Sequence, residues 1–476
     1  MQLNARHWTE EKQVSPLWRH LEWSPRRWLY VRITIKPREL DGGALLAFEA
    51  AERGWGVILG KDIYLKPPYP QGVLIEKGVM PGRAEKLVDP LAAGQKVAAI
   101  CEEGLIYSSV EEYGRRRLER KAFDLLDVFF CWGQNQAHDV IDKLGYDASK
   151  IVITGNPRFD LHRPELRVVF SEKVDRIRRK YGRYILITTK FSRYNGITAD
   201  YEKKIANARR IGKVLTADHE DEMRGLREFH RVGFESFVQL AHELSARHPD
   251  RVIIVRPHPS ENHSRWREAT AALPNVKVVF EGNVVEWILG AEVTIHNNCT
   301  TGVEAYLLGK QAISYRPISD QRFDMFLPNA LSCQSFDEVN TCSLVASALS
   351  GEKIDSKKDA EREKTAQFFL ANANGKLACE RMMDALDSMP IAAQPLSISR
   401  YRLDDFRHAV SRYLGSLHLA VTKGQSGARL RFQKQKFDGL HKSELIERLH
   451  AAQCATGKFG DVKITKLAED IFCIYE

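Results

Sequence analysis

The chain has 476 residues, of which 28% are charged, 43% are hydrophobic and 9% are aromatic. Its formal net charge is +9, and this composition excludes collagen, a coiled coil and wholesale disorder. At roughly 100–200 residues per domain, the length predicts two or three domains. No apolar stretch approaches the roughly 20 residues that span a bilayer. Because the N-terminus lacks the apolar segment of a signal peptide, we expect a cytoplasmic protein.

The basic excess is uneven along the chain. Residues 391–476 contain 14 Lys and Arg against nine Asp and Glu. Such a segment favours peripheral contact with an anionic membrane face, and a solvated basic surface is the alternative. No aromatic-basic RNA motif occurs, so no nucleic-acid partner is expected. The eight cysteines include no Cys-x-x-Cys pair, which predicts neither a disulfide framework nor a metal site.

Strand and helix patterns alternate in the first half of the chain. We predict strands at Trp28–Ile35, Gly56–Gly60, Lys96–Cys101, Asp127–Trp132 and Lys150–Thr154, and helices at Glu39–Arg53, Val110–Leu125 and Gln136–Leu144. This alternation is typical of a parallel sheet covered by helices.

A second alternating series follows a basic helix predicted at Glu172–Lys180. Strands are predicted at Tyr184–Thr188, Val252–Val255, Val276–Phe280, Val293–His296 and Gln311–Tyr315, and helices at Arg224–Ala246, Val284–Leu289, Thr301–Leu308 and Glu361–Met389. The charged segment Tyr194–Glu222 is predicted to be a mobile loop. Two series of similar size predict an α/β protein with two doubly wound domains facing a cleft.

The predicted organisation has five parts. They are an N-terminal extension at 1–27, an N-terminal Rossmann-like domain at 28–180, a second Rossmann-like domain at 181–360, a closing helix at 361–390 and a basic C-terminal module at 391–476.

Polar segments follow several predicted strands, where ligands bind in open α/β sheets. Glu102 and Glu103 follow the strand that begins at Lys96. A partly buried carboxyl group has a raised pKa that suits acid/base catalysis, and we expect only one of the two to face the cleft. A surface turn with two solvated glutamates is the alternative.

The segment Ile153–Asp160 contains Asn156, Arg158 and Asp160 at a predicted turn. Arg158 suits a phosphate or carboxylate ligand, and Asp160 is placed to hold Arg158 in position. The alternative is a structural Arg–Asp pair that shapes the link between the domains.

A third segment, at residues 252–260, has Arg256 and His258 at the end of a predicted buried strand. Prolines on both sides of His258 restrict its backbone, which favours rigid donation to a phosphate or ribose. Lys190 and Asn195, after an earlier strand, are weaker candidates for a wall of the same cleft.

The fourth segment joins a strand to a helix through a small polar loop. Its candidate nucleotide-binding residues are Asn297, Asn298, Thr300, Thr301, Gly302 and Glu304. The free N–H groups and positive dipole end of a helix make an anion site, whereas helix capping alone is the structural alternative. Glu304 is placed to accept ribose hydroxyls.

Several common motifs are absent from the sequence. It contains no Walker A, Gly-x-Gly-x-x-Gly, His-Glu-x-x-His or Gly-x-Ser-x-Gly motif. These absences argue against an ATPase, a dinucleotide oxidoreductase, a zinc protease and a serine hydrolase.

Four motifs in order resemble bacterial surface-carbohydrate biosynthesis proteins. They are Glu-Glu-Gly at 102–104, Thr-Gly-Asn-Pro-Arg-Phe-Asp at 154–160, Arg-Pro-His-Pro at 256–259 and His-Asn-Asn-Cys-Thr-Thr-Gly at 296–302. The chain is similar over residues 28–390 to GT-B glycosyltransferases related to the capsule and O-antigen Kdo transferases. The resemblance implies transfer of a CMP-activated ulosonic acid such as Kdo onto a capsule, O-antigen or lipopolysaccharide glycan, with no obligatory metal or other cofactor. It assigns acid/base chemistry to Glu103, phosphate binding to His258 and nucleotide binding to Thr300 and Thr301.

One departure from that family keeps alternatives open. Retaining Kdo transferases have an aspartate nucleophile after the first strand of the second domain, where this chain has Lys190, Ser192, Arg193 and Asn195. Gly-Asn-Pro-Arg-Phe-Asp and Arg-Pro-His-Pro also resemble CDP-glycerol phosphotransferases of teichoic-acid assembly. A catalytically silent nucleotide- or glycan-binding scaffold is the third interpretation.

Overall fold

The computed structural model describes residues 24, 26–61, 63, 70–197, 202, 205, 206, 209, 216–396 and 436–476. Most of the predicted N-terminal extension, the centre of the charged segment Tyr194–Glu222 and the first part of the basic C-terminal module lie outside the described residues.

The first sheet has eight strands. They are β1 (Trp28–Arg32), β2 (Gly56–Gly60), β3 (Gly72–Glu76), β4 (Lys96–Ile100), β5 (Val128–Cys131), β6 (Ile151–Ile153), β13 (Lys463–Ala468) and β14 (Ile471–Tyr475), in the order β13-β14-β2-β1-β3-β4-β5-β6. The first six strands pair in parallel, whereas β14 pairs antiparallel with both β2 and β13. The chain reverses its direction of progress across the sheet between β1 and β3, which makes this pair a topological switch point.

The second sheet has six parallel strands. They are β7 (Tyr184–Thr189), β8 (Val252–Pro257), β9 (Val276–Val278), β10 (Val293–His296), β11 (Ala312–Tyr315) and β12 (Cys333–Ser335), in the order β12-β11-β10-β7-β8-β9. This is the Rossmann order, and its switch point lies between β7 and β10. The predicted GT-B fold of two Rossmann-like domains with a C-terminal extension is therefore confirmed.

The α-helices of the described residues cover both sheets. They lie at Lys36–Glu52, Ala84–Ala92, Val110–Arg117, Arg120–Asp124, Gln134–His138, Pro157–Asp160, Ser171–Tyr181, Ala217–Arg247, His263–Ala269, Val284–Gly290, Thr300–Leu307, Phe326–Ala330, Glu338–Leu349, Asp359–Phe369, Ala378–Asp387 and Lys442–Thr456. No described helix combines the length and apolarity that a membrane crossing requires.

Several predicted elements differ from the structure. The predicted helix Val110–Leu125 is two helices, because Leu118 is extended and pairs with Val79. The predicted helix Glu361–Met389 is also two helices, separated at 370–377 by a turn that contains Gly375 with a φ of 65°. The sequence analysis missed β3, β12 and the hairpin β13–β14, and the long helix that it began at Arg224 starts at Ala217.

One apolar core joins the two sheets and the C-terminal extension. Helix Lys36–Glu52 contributes Phe48, helix Val284–Gly290 contributes Trp287, helix Ala378–Asp387 contributes Met383 and helix Lys442–Thr456 contributes Leu445. These side chains are essentially inaccessible to solvent. The helices that border the cleft are therefore packed on a common base, which fixes the two switch points relative to each other.

Candidate functional site

The switch point of the second sheet brings together residues from two distant strands. The hydroxyl groups of Thr188 and Thr301 lie 2.7 Å apart, and the backbone N–H of Lys190 donates to the side chain of Asn297 at 3.0 Å. The end of β7 is therefore tied to the loop after β10. Ligands bind at such points in doubly wound sheets.

The helix Thr300–Leu307 begins at this point without a side-chain cap. Its N-cap residue, Cys299, accepts no capping hydrogen bond through its side chain. The first N–H groups of a helix have no partner within it, and together with the helix dipole they favour an anion. The sequence-predicted Thr300, Thr301 and Gly302 all lie in this first turn.

A buried histidine supports the start of this helix. His296 has no solvent exposure, and its Nε2 lies 2.8 Å from the Ser332 hydroxyl. Burial lowers the pKa of His296 to about 3, so the ring is neutral. A Cβ atom at Gly302 would lie 2.4 Å from Nε2 of His296. The glycine is therefore needed for the helix to pack against the ring.

His258 presents one ring nitrogen to the cleft. The backbone N–H of Ser260 donates to Nδ1 of His258 at 3.2 Å, which assigns the ring proton to Nε2. Desolvation in the cleft, aided by the charge of Lys190, lowers the pKa of His258 to about 4. The exposed ring is thus a neutral Nε2–H donor at pH 7.

The loop that carries His258 is held by a buried carboxylate that sequence reasoning missed. Glu261 is 1% exposed and accepts hydrogen bonds from the Thr189 hydroxyl, the Trp266 indole and the Asn195 amide. It also accepts from the backbone of His258 at 3.2 Å. Asn195, predicted as a cleft residue, contributes to this scaffold. The sequence signal was only an acidic residue three positions after His258.

Arg256 and Asn298 use their polar groups within the protein. Both terminal nitrogens of Arg256 donate to backbone carbonyls, of Glu281 and Gly282, at 2.7 Å each. Burial lowers the pKa of Arg256 to about 10. Asn298 has a φ of 44°, and its amide bonds to Asp324 and to groups at 325 and 329. Both residues shape loops that border the site.

An ion pair crosses from the first domain to the second. Arg158 bonds to Glu304, whose side chain is 1% exposed on the helix Thr300–Leu307. The expected pair between Arg158 and Asp160 does not form. Asp160 instead accepts from the backbone N–H groups of Ala378 and Cys379 at 2.8 and 2.9 Å. It caps the helix that begins there, and burial raises its pKa to about 6.

Glu102 and Glu103 have different surroundings. Glu103 accepts from Arg38 at 2.6 Å. Burial alone would raise the pKa of Glu103, but the charges of Arg38 and then of Arg117 and Lys190 outweigh burial and lower it. Burial raises the pKa of Glu102 against the opposing charges of Lys77 and Arg38. The carboxyl with the raised pKa is therefore Glu102, whereas the resemblance assigned acid/base chemistry to Glu103.

The two sides of the cleft interact electrostatically. The positive charge of Lys190 lowers the pKa of Glu103 in the first domain. The negative charge of Glu103 in turn acts to raise the pKa of His258, against the larger effect of desolvation. The glutamate loop of the first domain therefore lies near the loops that follow β7 and β8 of the second domain. Within the described part of the chain, no three His, Cys, Asp or Glu side chains are grouped as a metal site.

Of the comparisons with known proteins, only the one with solved structures found matches to this chain. No protein-family model matches it, and no curated protein matches its sequence. One similar solved structure is the Staphylococcus aureus MnaA–UDP complex, with 14% identity and a TM-score of 0.44 over 76% of this chain and 96% of that one. Another is the wall teichoic acid polymerase TagF, with 11% identity and a TM-score of 0.49 over 76% of this chain and 89% of that one. A third is the UDP-GlcNAc 2-epimerase of Neisseria meningitidis bound to UDP-GlcNAc, with 12% identity and a TM-score of 0.47 over 76% of this chain and 100% of that one. These values identify no family, and the strand order independently establishes the fold.

Proposed function

We propose that this protein transfers a group from a nucleotide-activated donor to an acceptor in the assembly of a bacterial surface polymer. The observation that carries the proposal is that Lys190, at the β7/β10 switch point, lies close enough to His258 and to Cys299, the residue before helix Thr300–Leu307, for its charge to act on the pKa of both. Lys190 supplies a positive charge, and His258 Nε2 and the uncapped start of that helix supply neutral donors. This combination suits the phosphate of a nucleotide donor.

The same groups stabilise the charge that develops during transfer. As the bond between the transferred group and the donor phosphate breaks, the phosphate oxygen gains negative charge near Lys190, His258 and the helix start. The acceptor hydroxyl forms the new bond and gives its proton to Glu102, whose raised pKa suits a general base. Glu103, held by Arg38, remains ionised and orients that arginine.

We further propose that the donor is a CMP-activated ulosonic acid such as Kdo and that transfer is a single displacement. The four motifs and their common cleft support this donor class. Residues 190–197 contain no carboxylate, and Asn195 is bonded to Glu261. This arrangement favours direct attack by the acceptor over a covalent adduct on that loop. CDP-glycerol is the alternative donor, since the motifs at 155–160 and 256–259 suit it equally.

Thermal unfolding with CMP, CDP, UDP and GDP tests the proposal. A ligand that binds only the folded state stabilises it by RT ln(1 + [L]/Kd), which at a hundredfold excess over Kd is about 2.7 kcal/mol and raises Tm by a few degrees. We expect CMP to give the largest shift, and Lys190→Met to abolish it. A larger shift with CDP supports the glycerol-type donor.

Lys86→Met is the matched control, because Lys86 is an exposed lysine on helix Ala84–Ala92 of the first domain. It should leave the shift intact. If none of the four nucleotides stabilises the wild-type protein, the transferase proposal is wrong and the scaffold interpretation replaces it.

A further inference from the structure

We infer that a cavity at the β1/β3 switch point of the first sheet is a hydroxyl-recognising subsite that binds a neutral polyol end of the acceptor. The cavity lies at the carboxyl ends of β1, β3 and β4. Its polar lining includes Glu39, Lys77, Glu102, Asn156 and Arg158. The assignment of the ligand as an acceptor rests on the proposed function, whereas the chemistry of the cavity does not.

Asn156 offers the cavity a donor without a partner. Its Oδ1 accepts from the backbone N–H of Arg158 at 2.9 Å, which fixes the orientation of the amide. Its Nδ2 is buried and makes no hydrogen bond, and the residue is only 3% exposed. A buried polar group without a partner is costly, so an unpaired amide on a cavity wall indicates a ligand that accepts a hydrogen bond.

The cations around the cavity are already paired. Lys77 bonds to Glu39, which also accepts from the backbone N–H groups of Thr34 and Ile35 at 2.7 and 2.9 Å. Arg158 bonds to Glu304, and Arg32, the third cation of the lining, bonds to Glu76 at 2.9 Å. No unpaired cation on these walls is left for an anionic ligand, and a carboxylate or phosphate would meet Glu39 and Glu102 at close range.

The donor Nδ2 of Asn156 and the acceptor carboxylate of Glu102 together match the hydrogen bonds of a hydroxyl group. A hydroxyl accepts one hydrogen bond, here from Asn156, and donates one, here to the Glu102 carboxylate. The cavity volume of about 50 Å³ has room for a few water-sized groups, which suits a hydroxymethyl or two neighbouring hydroxyls. Val31, Ile75 and Ile100 form apolar walls that suit the carbon atoms of a polyol.

Saturation-transfer NMR with glycerol and with acetate tests this assignment on the full chain, in the presence of the nucleotide that raises Tm most. We expect saturation transfer to glycerol and none to acetate. Asn156→Asp keeps the helix-capping oxygen and replaces the free donor with a carboxylate oxygen, which adds a negative charge and cannot donate. It should weaken glycerol binding by about tenfold, the value of one lost hydrogen bond of about 1.4 kcal/mol.

Thr294→Val is the matched control, because it removes another buried polar atom that has no partner, in the second domain. It should leave the glycerol signal unchanged. Binding of acetate instead of glycerol, or an equal glycerol signal in Asn156→Asp, would overturn the inference. So would the absence of glycerol binding. Nucleotide stabilisation is measured separately, so failure of the subsite and failure of the proposed transferase give different results.

Discussion

Two adjacent glutamates in one loop have opposite pKa shifts because their side chains meet different neighbours. Glu103 bonds to Arg38, whereas Glu102 lines the cavity of the first sheet. The sequence analysis expected only one of the two carboxyls to face the cleft. It had no means of choosing between them, because Arg38 belongs to the helix Lys36–Glu52, more than sixty residues away.

We predict that Glu102→Gln lowers turnover by about a hundredfold or more, since a general base contributes 10²–10⁴-fold. In the wild-type enzyme the rate should fall on acidification at a pH above 4.5, the ordinary pKa of glutamate, because the pKa of Glu102 is raised and only its ionised form accepts a proton. Initial rates measured against pH test both statements.

Glu103→Gln is the matched control for Glu102→Gln. It should keep the acidic limb of the pH profile in place and lose less activity, because Glu103 orients Arg38 in this mechanism. The assignment fails if Glu103→Gln removes the limb while Glu102→Gln retains normal rates.

The partner of Arg158 shows which part of the site could not be predicted from the sequence. Arg158 was predicted to pair with Asp160, but Arg158 bonds to Glu304 and Asp160 caps another helix. The pair Arg158–Glu304 joins residues that are 146 positions apart. Local spacing favoured the near carboxylate, and only the packing of the two domains brings the distant one into contact.

At the scale of an element, the start of helix Thr300–Leu307 depends on a side chain being absent. Gly302→Ala would place a Cβ atom against the ring of His296, which is itself held by Ser332. We expect a loss of about 1–3 kcal/mol in unfolding free energy, the usual cost of overpacking a core. Because the helix start would move, nucleotide affinity should fall as well.

Urea unfolding and nucleotide titration measure these two effects of Gly302→Ala. Gly460→Ala is the control, since a Cβ atom there has nothing within 4 Å. Equal stability and equal affinity in Gly302→Ala and Gly460→Ala would show that the helix start does not rely on this contact.

Elements with strong local patterns were predicted well. The bounds predicted for β2 and β10 match the structure, because each is a short buried run flanked by turn residues or polar groups. The strand β3 follows a proline-rich stretch that favours a loop, and without it Lys77 could not be assigned to a strand end. The missed residues of the first-sheet cavity, Glu39 and Lys77, are a direct consequence.

For the whole molecule, the C-terminal extension is a structural part of the two-domain unit. Strand β14 pairs with β2 and extends the first sheet, while Leu445 and Leu449 of helix Lys442–Thr456 enter the common core. Lys36, at the start of helix Lys36–Glu52, bonds to Asp438 at 2.9 Å. These contacts join segments about 400 residues apart, so no local pattern in the sequence indicates them.

Asp41 links three parts of the chain through one carboxylate. It accepts from Arg448 of the C-terminal extension at 2.6 Å and from Asn283 of the second domain at 2.9 Å. Burial would raise the pKa of Asp41, but Arg448 and Asn283 outweigh it and hold the pKa below 3.8. This cluster therefore stabilises the protein at neutral pH, and its contribution is lost as the pH falls through that lowered pKa.

We predict that Arg448→Met lowers the unfolding free energy at pH 7 by about 2 kcal/mol, because a half-buried carboxylate loses its charged partner. Arg176→Met is the control, since it removes an exposed ion pair with Glu172 within one helix and should cost well under 1 kcal/mol. Urea unfolding at pH 7 and near pH 3 measures both. The difference between Arg448→Met and wild type should shrink as the pH falls through the lowered pKa of Asp41. If Arg448→Met costs no more than Arg176→Met at pH 7, the extension does not brace the two domains through Asp41.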